Sequence, residues 1–156
     1  MKISEILTED LISVVMEPKD KDDAIRIMID IAARSGKILN KEKVSESVFE
    51  REKLVSTGVG KGFAIPHGKT DEISDVTAAF GITKTPIDFD SIDSEPVKFI
   101  FLLIGKDSLL NTHIKLLSRI SRIMNNDKFR DKLEEAKDSK EVLELFRKEE
   151  ENYQEI

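Results

Sequence analysis

Histidine occurs twice in this 156-residue chain, at His67 and His113, and both copies sit where they could do chemistry. His67 closes the stretch Ser56-Thr57-Gly58-Val59-Gly60-Lys61-Gly62-Phe63-Ala64-Ile65-Pro66-His67 and is followed by Gly68-Lys69. Glycines let backbone amides come close to an oxyanion, and Pro66 restricts Ile65 to extended backbone, so a histidine here is stiffly presented. An imidazole with an ordinary pKa of about 6.5 is largely neutral at pH 7 and is a good nucleophile for phosphorus. Pro-His-Gly alone would equally suit an ordinary turn, so the neighbours carry the weight. Arg51, inside Glu50-Arg51-Glu52-Lys53-Leu54, offers a planar guanidinium fork that suits charge-dense oxyanions. His113 lies near the start of an expected helix, where free amides and the helix dipole favour anions. By itself it would read as a half-buried packing histidine.

Other chemistries fit the residues poorly. Gly68-Lys69-Thr70 looks like the end of a P-loop, but the required earlier glycine would fall at Phe63. Gly58, Gly60 and Gly62 lack the Gly-x-Gly-x-x-Gly spacing of a dinucleotide fold. Two histidines 46 residues apart, without cysteine, make no zinc site. No Gly-x-Ser-x-Gly elbow supports a hydrolase.

Taken together, the Arg51-Glu52 pair, Ser56-Thr57-Gly58, Ala64-Ile65-Pro66-His67 and the helix Thr112-His113-Ile114-Lys115-Leu116-Leu117 resemble one family over essentially the whole chain. This is the type-2 enzyme IIA component of the bacterial phosphotransferase system, the fructose/mannitol class, which includes nitrogen-regulatory IIA proteins. Ile114 departs from it, standing where the family usually has leucine. The resemblance implies a mixed central sheet with helices on both sides. It also implies that His67 accepts a phosphoryl group from the histidine-containing phosphocarrier protein and passes it to a cysteine of a separate IIB component. His113 and Arg51 would stabilise the phosphoryl group in transit, and no cofactor or bound magnesium is called for. Such a role can bring the chain to the periphery of a membrane IIC complex. Two alternatives stay open: a nitrogen-regulatory protein whose phosphorylation state controls partner binding, and a non-catalytic binding module of the same fold. Either ring nitrogen of His67 could carry the phosphate. Val59, Phe63 and Ile65 are candidates for an apolar docking rim.

Composition is compatible with this. Residues of hydrophobic type make up 39% and charged ones 36%, as in a single soluble domain large enough for a sizeable core. There is no cysteine, so disulfides and a cysteine phosphocarrier are excluded. A formal charge of −6 gives no nucleic-acid footprint. No apolar run approaches the ~20 residues of a membrane span, and a cytoplasmic location is the expectation.

Alternating helices and strands predict an α/β three-layer sandwich, a mixed central β-sheet with helices on both faces. Leu11 to Met16 reads as a strand, and Asp20 and Asn40 as caps of two helices, the second carrying Arg51 near its end. Phe63 to Ile65 reads as a short strand delivering His67 to a sheet edge. Val97 to Ile104 is nearly continuously apolar, as a strand buried on both faces would be, and Val76 to Thr83 is its companion. Pro86 to Asp93 reads as a turn-rich connection. Asn111 or Thr112 could cap a helix presenting Ile114, Leu117, Ile120 and Met124. Phe129/Leu133/Ala136 and Val142/Leu143/Phe146 mark two more helices, the last with capping-box spacing at Asp138 and Glu141. The domain is expected over residues 1–148, with a frayed, charged tail at 149–156.

Overall fold

The strand expected at Val97 organises the molecule. In the computed structural model, which describes residues 1–153, β6 (Val97–Gly105) is buried along almost its whole length. It pairs antiparallel with β5 (Thr77–Ile87), and β5 pairs in parallel with β1 (Ile12–Met16). On its other side β6 takes two short strands in parallel, β3 (Phe63–Ala64) and β4 (His67–Lys69). The hairpin partner β2 (Gly58–Gly60) completes a mixed six-stranded sheet in the order β1-β5-β6-β3-β2, with β4 beside β6.

Helices cover both faces. α2 (Lys21–Ala33) and α3 (Lys41–Leu54) pack together on one side. α4 (Leu110–Met124), α5 (Asp127–Glu135) and α6 (Ser139–Glu150) cover the other, with the short α1 (Ile3–Ile6) docked on α6. The caps read from the sequence form as hydrogen bonds: Asp20 accepts from the Asp23 N–H, Asn40 from Lys43 and Asp138 from Glu141. Glu141 reaches back to the Lys137 N–H at 3.0 Å, one residue before the usual capping-box partner. On the α6 side the core is aromatic. Phe146 meets Phe80, Phe101 and Phe129 edge-on at centroid distances of 5.0, 5.6 and 5.0 Å, the favoured geometry for ring quadrupoles.

Three boundaries differ from the sequence reading by more than one residue. β5 continues through Lys84, Thr85 and Pro86 to Ile87, into the expected connection. Pro86 is tolerated because β1 has already ended, so no ladder bond from its nitrogen is needed there. α4 begins at Leu110 with Leu109 as an N-cap that makes no side-chain bond; Asn111 and Thr112 lie inside its first turn and cap nothing. Its buried stripe is His113, Leu116, Ile120, Ile123 and Met124, which leaves Ile114 exposed.

The third difference is at the C-terminus. Glu149 and Glu150 are buried in the last turn of α6 and do not belong to a frayed tail; residues 154–156 of that segment lie outside the described residues. Glu150 accepts the N–H groups of Ile3 (2.5 Å) and Ser4 (2.9 Å), with the Arg119 guanidinium 3.6 Å away. It thereby supplies the first turn of α1 with the acceptors that its own sequence lacks. Glu150→Ala should destabilise the fold by about 1–3 kcal/mol, because it strands two amide donors and a guanidinium. Urea denaturation of the purified variant measures this.

Candidate functional site

β4 alternates its residues between the two faces of the sheet. Gly68 turns toward α3, where a Cβ would come within 2.6 Å of Ser47 Oγ and 3.0 Å of the Val48 nitrogen. His67 and Lys69 therefore share the opposite side, toward α4. His67 is half-buried there, with its ring centroid 5.7 Å from that of His113 and the planes tilted by 54°. Arg51 reaches the same place from the last turn of α3. The three sequence-predicted residues line one open cleft of about 590 Å³. Lys69, Glu50 and Asp107 add charge to it, and Leu54, Leu110 and Leu117 add apolar wall.

Each side chain is fixed by a named contact. His67 Nδ1 lies 2.8 Å from the carbonyl of Ile65. A carbonyl only accepts, so Nδ1 carries the proton and Nε2 keeps its lone pair. Arg51 Nη1 donates to the Val55 carbonyl at 2.8 Å, just past the end of its own helix, and leaves the rest of its fork for the cleft. His113 lies directly over Gly105, the last residue of β6, where a Cβ would fall 2.3 Å from its Nδ1. Only glycine at 105 leaves that room. His113 is 4% exposed, and its Nδ1 is buried without a hydrogen-bond partner among the described residues.

Burial governs the protonation of both rings. His67 is held below the ordinary histidine pKa, first by desolvation. The Ile65 hydrogen bond opposes this, Arg51 adds to it, Glu52 opposes and Lys69 adds. His113 is pushed down to about 4 by burial, with smaller contributions from the His67 ring and Lys69. At neutral pH the site thus holds two uncharged imidazoles beside a guanidinium and an ammonium. Among the described residues no group of three or more metal-ligating side chains is gathered.

The glycine-rich loop has another use. Gly58, Gly60 and Gly62 build the β2–β3 hairpin, whose turn holds Lys61 at φ 59° and Gly62 at φ 80°. Its Lys61 amide does meet an oxyanion, but this is the carboxylate of Asp93, 3.1 Å away. None of these glycines lines the cleft. The expected rim also shifts: Phe63 and Ile65 are core, whereas Val59 is exposed on the hairpin away from the cleft lining. The apolar groups actually exposed beside the cleft are Leu54 and Val55 at the end of α3, and Leu109, Leu110 and Ile114 at the start of α4. The sequence held a signal for them. Leu54-Val55 and Leu109-Leu110 are apolar pairs at helix ends, outside any core-facing stripe.

Comparison with known families matches residues 5–149 to the model described as "Phosphoenolpyruvate-dependent sugar phosphotransferase system, EIIA 2". Two curated relatives are a PTS system fructose-specific EIIABC component of Bacillus subtilis and a PTS system fructose-specific EIIA component of Haloferax volcanii. The first is 33% identical over 146 residues, 94% of this chain but only 23% of that protein. The second is 35% identical over 144 residues, 92% of this chain and 94% of the relative. Among solved structures, nitrogen regulatory protein IIA-Ntr from Neisseria meningitidis superposes with a TM-score of 0.87 at 33% identity, covering 92% of this chain and 98% of that one. The chain belongs to the type-2 EIIA family of the phosphotransferase system.

The His113 environment makes a pH prediction. Its folded pKa of about 4 lies below the ordinary value of about 6.5, so between these pH values the unfolded chain binds the extra proton. The stability tied to the neutral ring is complete above about pH 6.5 and is lost as pH falls toward 4. NMR titration should find His113 as the more acidic of the two histidines, and His113→Ala should flatten the acid limb of the stability curve over that window.

Proposed function

We propose that the chain is a phosphoryl carrier that takes the group onto Nε2 of His67 from a phosphohistidine donor and passes it to the cysteine of a IIB component. The observation that carries this reading is the Ile65 carbonyl on His67 Nδ1, because it leaves one lone pair, on the nitrogen that is free to react. In the forward step that lone pair forms the Nε2–P bond, and the donor's N–P bond breaks with its electron pair returning to the donor imidazole. The onward step repeats this with a thiolate as nucleophile, and the pair returns to His67 Nε2. His67 keeps its Nδ1 proton throughout, so no proton relay is required.

Phosphoryl transfer asks a protein mainly for positioning and electrostatic stabilisation. Arg51 supplies the latter through the free part of its fork. His113, neutral, has one N–H to offer, and that N–H is useful in the cleft only on Nε2, since Nδ1 is enclosed over Gly105. The first turn of α4, without a side-chain cap, adds the positive end of a 15-residue helix at the cleft's edge. The name of the Bacillus relative joins A, B and C components, which supports a IIB acceptor and an adjoining membrane IIC component here. The phosphocarrier as donor and a cytoplasmic setting follow from the same reading. The nitrogen-regulatory alternative is supported by the likeness to IIA-Ntr and uses the same His67 chemistry, with the phosphorylation state read by a regulatory partner.

Incubation with phosphoenolpyruvate, enzyme I and the phosphocarrier should place acid-labile phosphate on His67, and His67→Ala should take none. Label on His113 in mass-spectrometric mapping would defeat the assignment. Onward transfer to a purified IIB protein separates the transport reading from the regulatory one. His113→Ala should slow transfer by about 10²–10³-fold, the usual loss for one donor at a charge-developing site.

Arg51 has its own test. Arg51→Lys keeps the charge but loses the planar fork. It should slow single-turnover transfer while unfolding as the parent does; a wild-type rate would return Arg51 to the helix surface.

A further inference from the structure

We propose that Glu52 is a positioning residue for phosphoryl transfer, holding the turn from which both Arg51 and His67 take their orientation. This rests on the carrier reading above. Glu52 neighbours Arg51 on α3, yet it points away from the cleft and is 7% exposed. Its Oε2 accepts the Thr57 N–H at 2.7 Å and its Oε1 the Thr57 hydroxyl at 2.5 Å. Lys21 Nζ, from the start of α2, stands 3.8 Å from Oε2 and 4.9 Å from the centre of the Phe89 ring. A buried carboxylate is a costly way to staple a helix to a strand, since apolar packing does that at least as well.

What the carboxylate supplies is direction on both sides of Thr57. Two residues before it, the Val55 carbonyl accepts from Arg51. Thr57's own carbonyl accepts the Ile65 N–H at 3.1 Å, and the Ile65 carbonyl takes the His67 Nδ1–H. One anchored residue therefore governs where the guanidinium is tethered and which nitrogen of the imidazole is free. The Ser-Thr-Gly segment fits this duty. Thr57 supplies the hydroxyl, and Gly58 leaves room for Ser91, whose Oγ lies 2.4 Å from where a Cβ would be.

The test uses three variants of the full chain. Glu52→Leu keeps bulk but removes both acceptors. It should slow single-turnover transfer from the phosphocarrier by about 10²-fold, the scale of loss for misplaced reacting groups. In long-range ¹H–¹⁵N spectra its His67 ring should lose the single Nδ1–H tautomer. Glu52→Gln can still accept the Thr57 N–H and donate to its hydroxyl oxygen, so it should keep both the rate and the tautomer. Thr57→Val removes one of the two bonds and should fall between; it decides the matter if Glu52→Leu does not fold. A folded Glu52→Leu or Thr57→Val protein with the parent's ring spectrum and rate would overturn the proposal. If the parent chain accepts no phosphoryl group, the carrier reading fails while the ring spectra still decide whether Glu52 positions His67.

Discussion

β4 is three residues long, yet its pairing on β6 decides whether this protein has a site. The register sets His67 beside Leu103 and Lys69 beside Gly105. Because strand side chains alternate, a slip of one residue would send His67 toward α3 and bring Gly68 to the α4 side, leaving His113 in the cleft without its partner imidazole. Two tight fits oppose such a slip. Ser47 and Val48 press on Gly68 from one side, and His113 fills the space over Gly105 on the other, so any larger residue at either position would clash. Ser47 Oγ also donates to the Lys69 carbonyl at 2.8 Å, tying the strand to α3. The short strand is held by its neighbours more than by its own ladder.

That packing creates the electrostatic character of the site. His113 is buried and His67 half-buried, with Lys69 near both rings and Arg51 near His67, so neither imidazole readily takes a proton. A nucleophile must offer a lone pair, and a protonated His67 Nε2 would have none. Desolvation, Arg51 and Lys69 all keep it unprotonated, against the pull of Glu52 and the Ile65 carbonyl. On the proposed carrier reading, the same cations would attract the oxygens of a phosphoryl group bound at His67. Charges that suppress one cation and stabilise one anion perform both tasks with a single arrangement.

Much of this was legible in the sequence, and the exceptions have physical reasons. β6 declared itself because a strand buried on both faces is apolar nearly throughout. Asp20, Asn40 and Asp138 declared their helices because capping is a local interaction. His67, Arg51 and His113 were assembled by resemblance, since residues 51, 67 and 113 meet only through the sheet. What escaped was non-local. The Glu150 carboxylate that completes α1 lies 147 residues from Ile3, and no local pattern announces it. The glycines at 58, 60 and 62 looked like an anion cradle, but only the tertiary fold shows the anion to be Asp93. Gly105 carries more of the site than any of those three and gave no motif, because its reason is the ring of a residue on the next helix. Ile114 reads at helical spacing with Leu117, Ile120 and Met124, but the face that α4 buries runs through His113, Leu116 and Ile120 and leaves Ile114 in solvent.

The rim of the cleft is the feature that the fold by itself does not explain. α3 ends in Leu54-Val55 and α4 is preceded and opened by Leu109-Leu110, with Ile114 a turn later, all turned to solvent. Exposed apolar side chains clustered around polar, reactive groups are the usual mark of a surface meant to be covered. For a carrier the covering has a chemical consequence. A partner seated on this rim would expel water from the space between His67 and the incoming phosphorus, and Coulomb attraction between Arg51 and the phosphoryl oxygens rises as the local dielectric falls. The same exclusion keeps water from competing as the nucleophile. In the free protein the cleft is open, so full stabilisation of the transferring group becomes available only when the partner's own surface closes it. On the proposed carrier reading, chemistry and recognition would then be one event, and the apolar rim would belong to the site as much as the imidazole does.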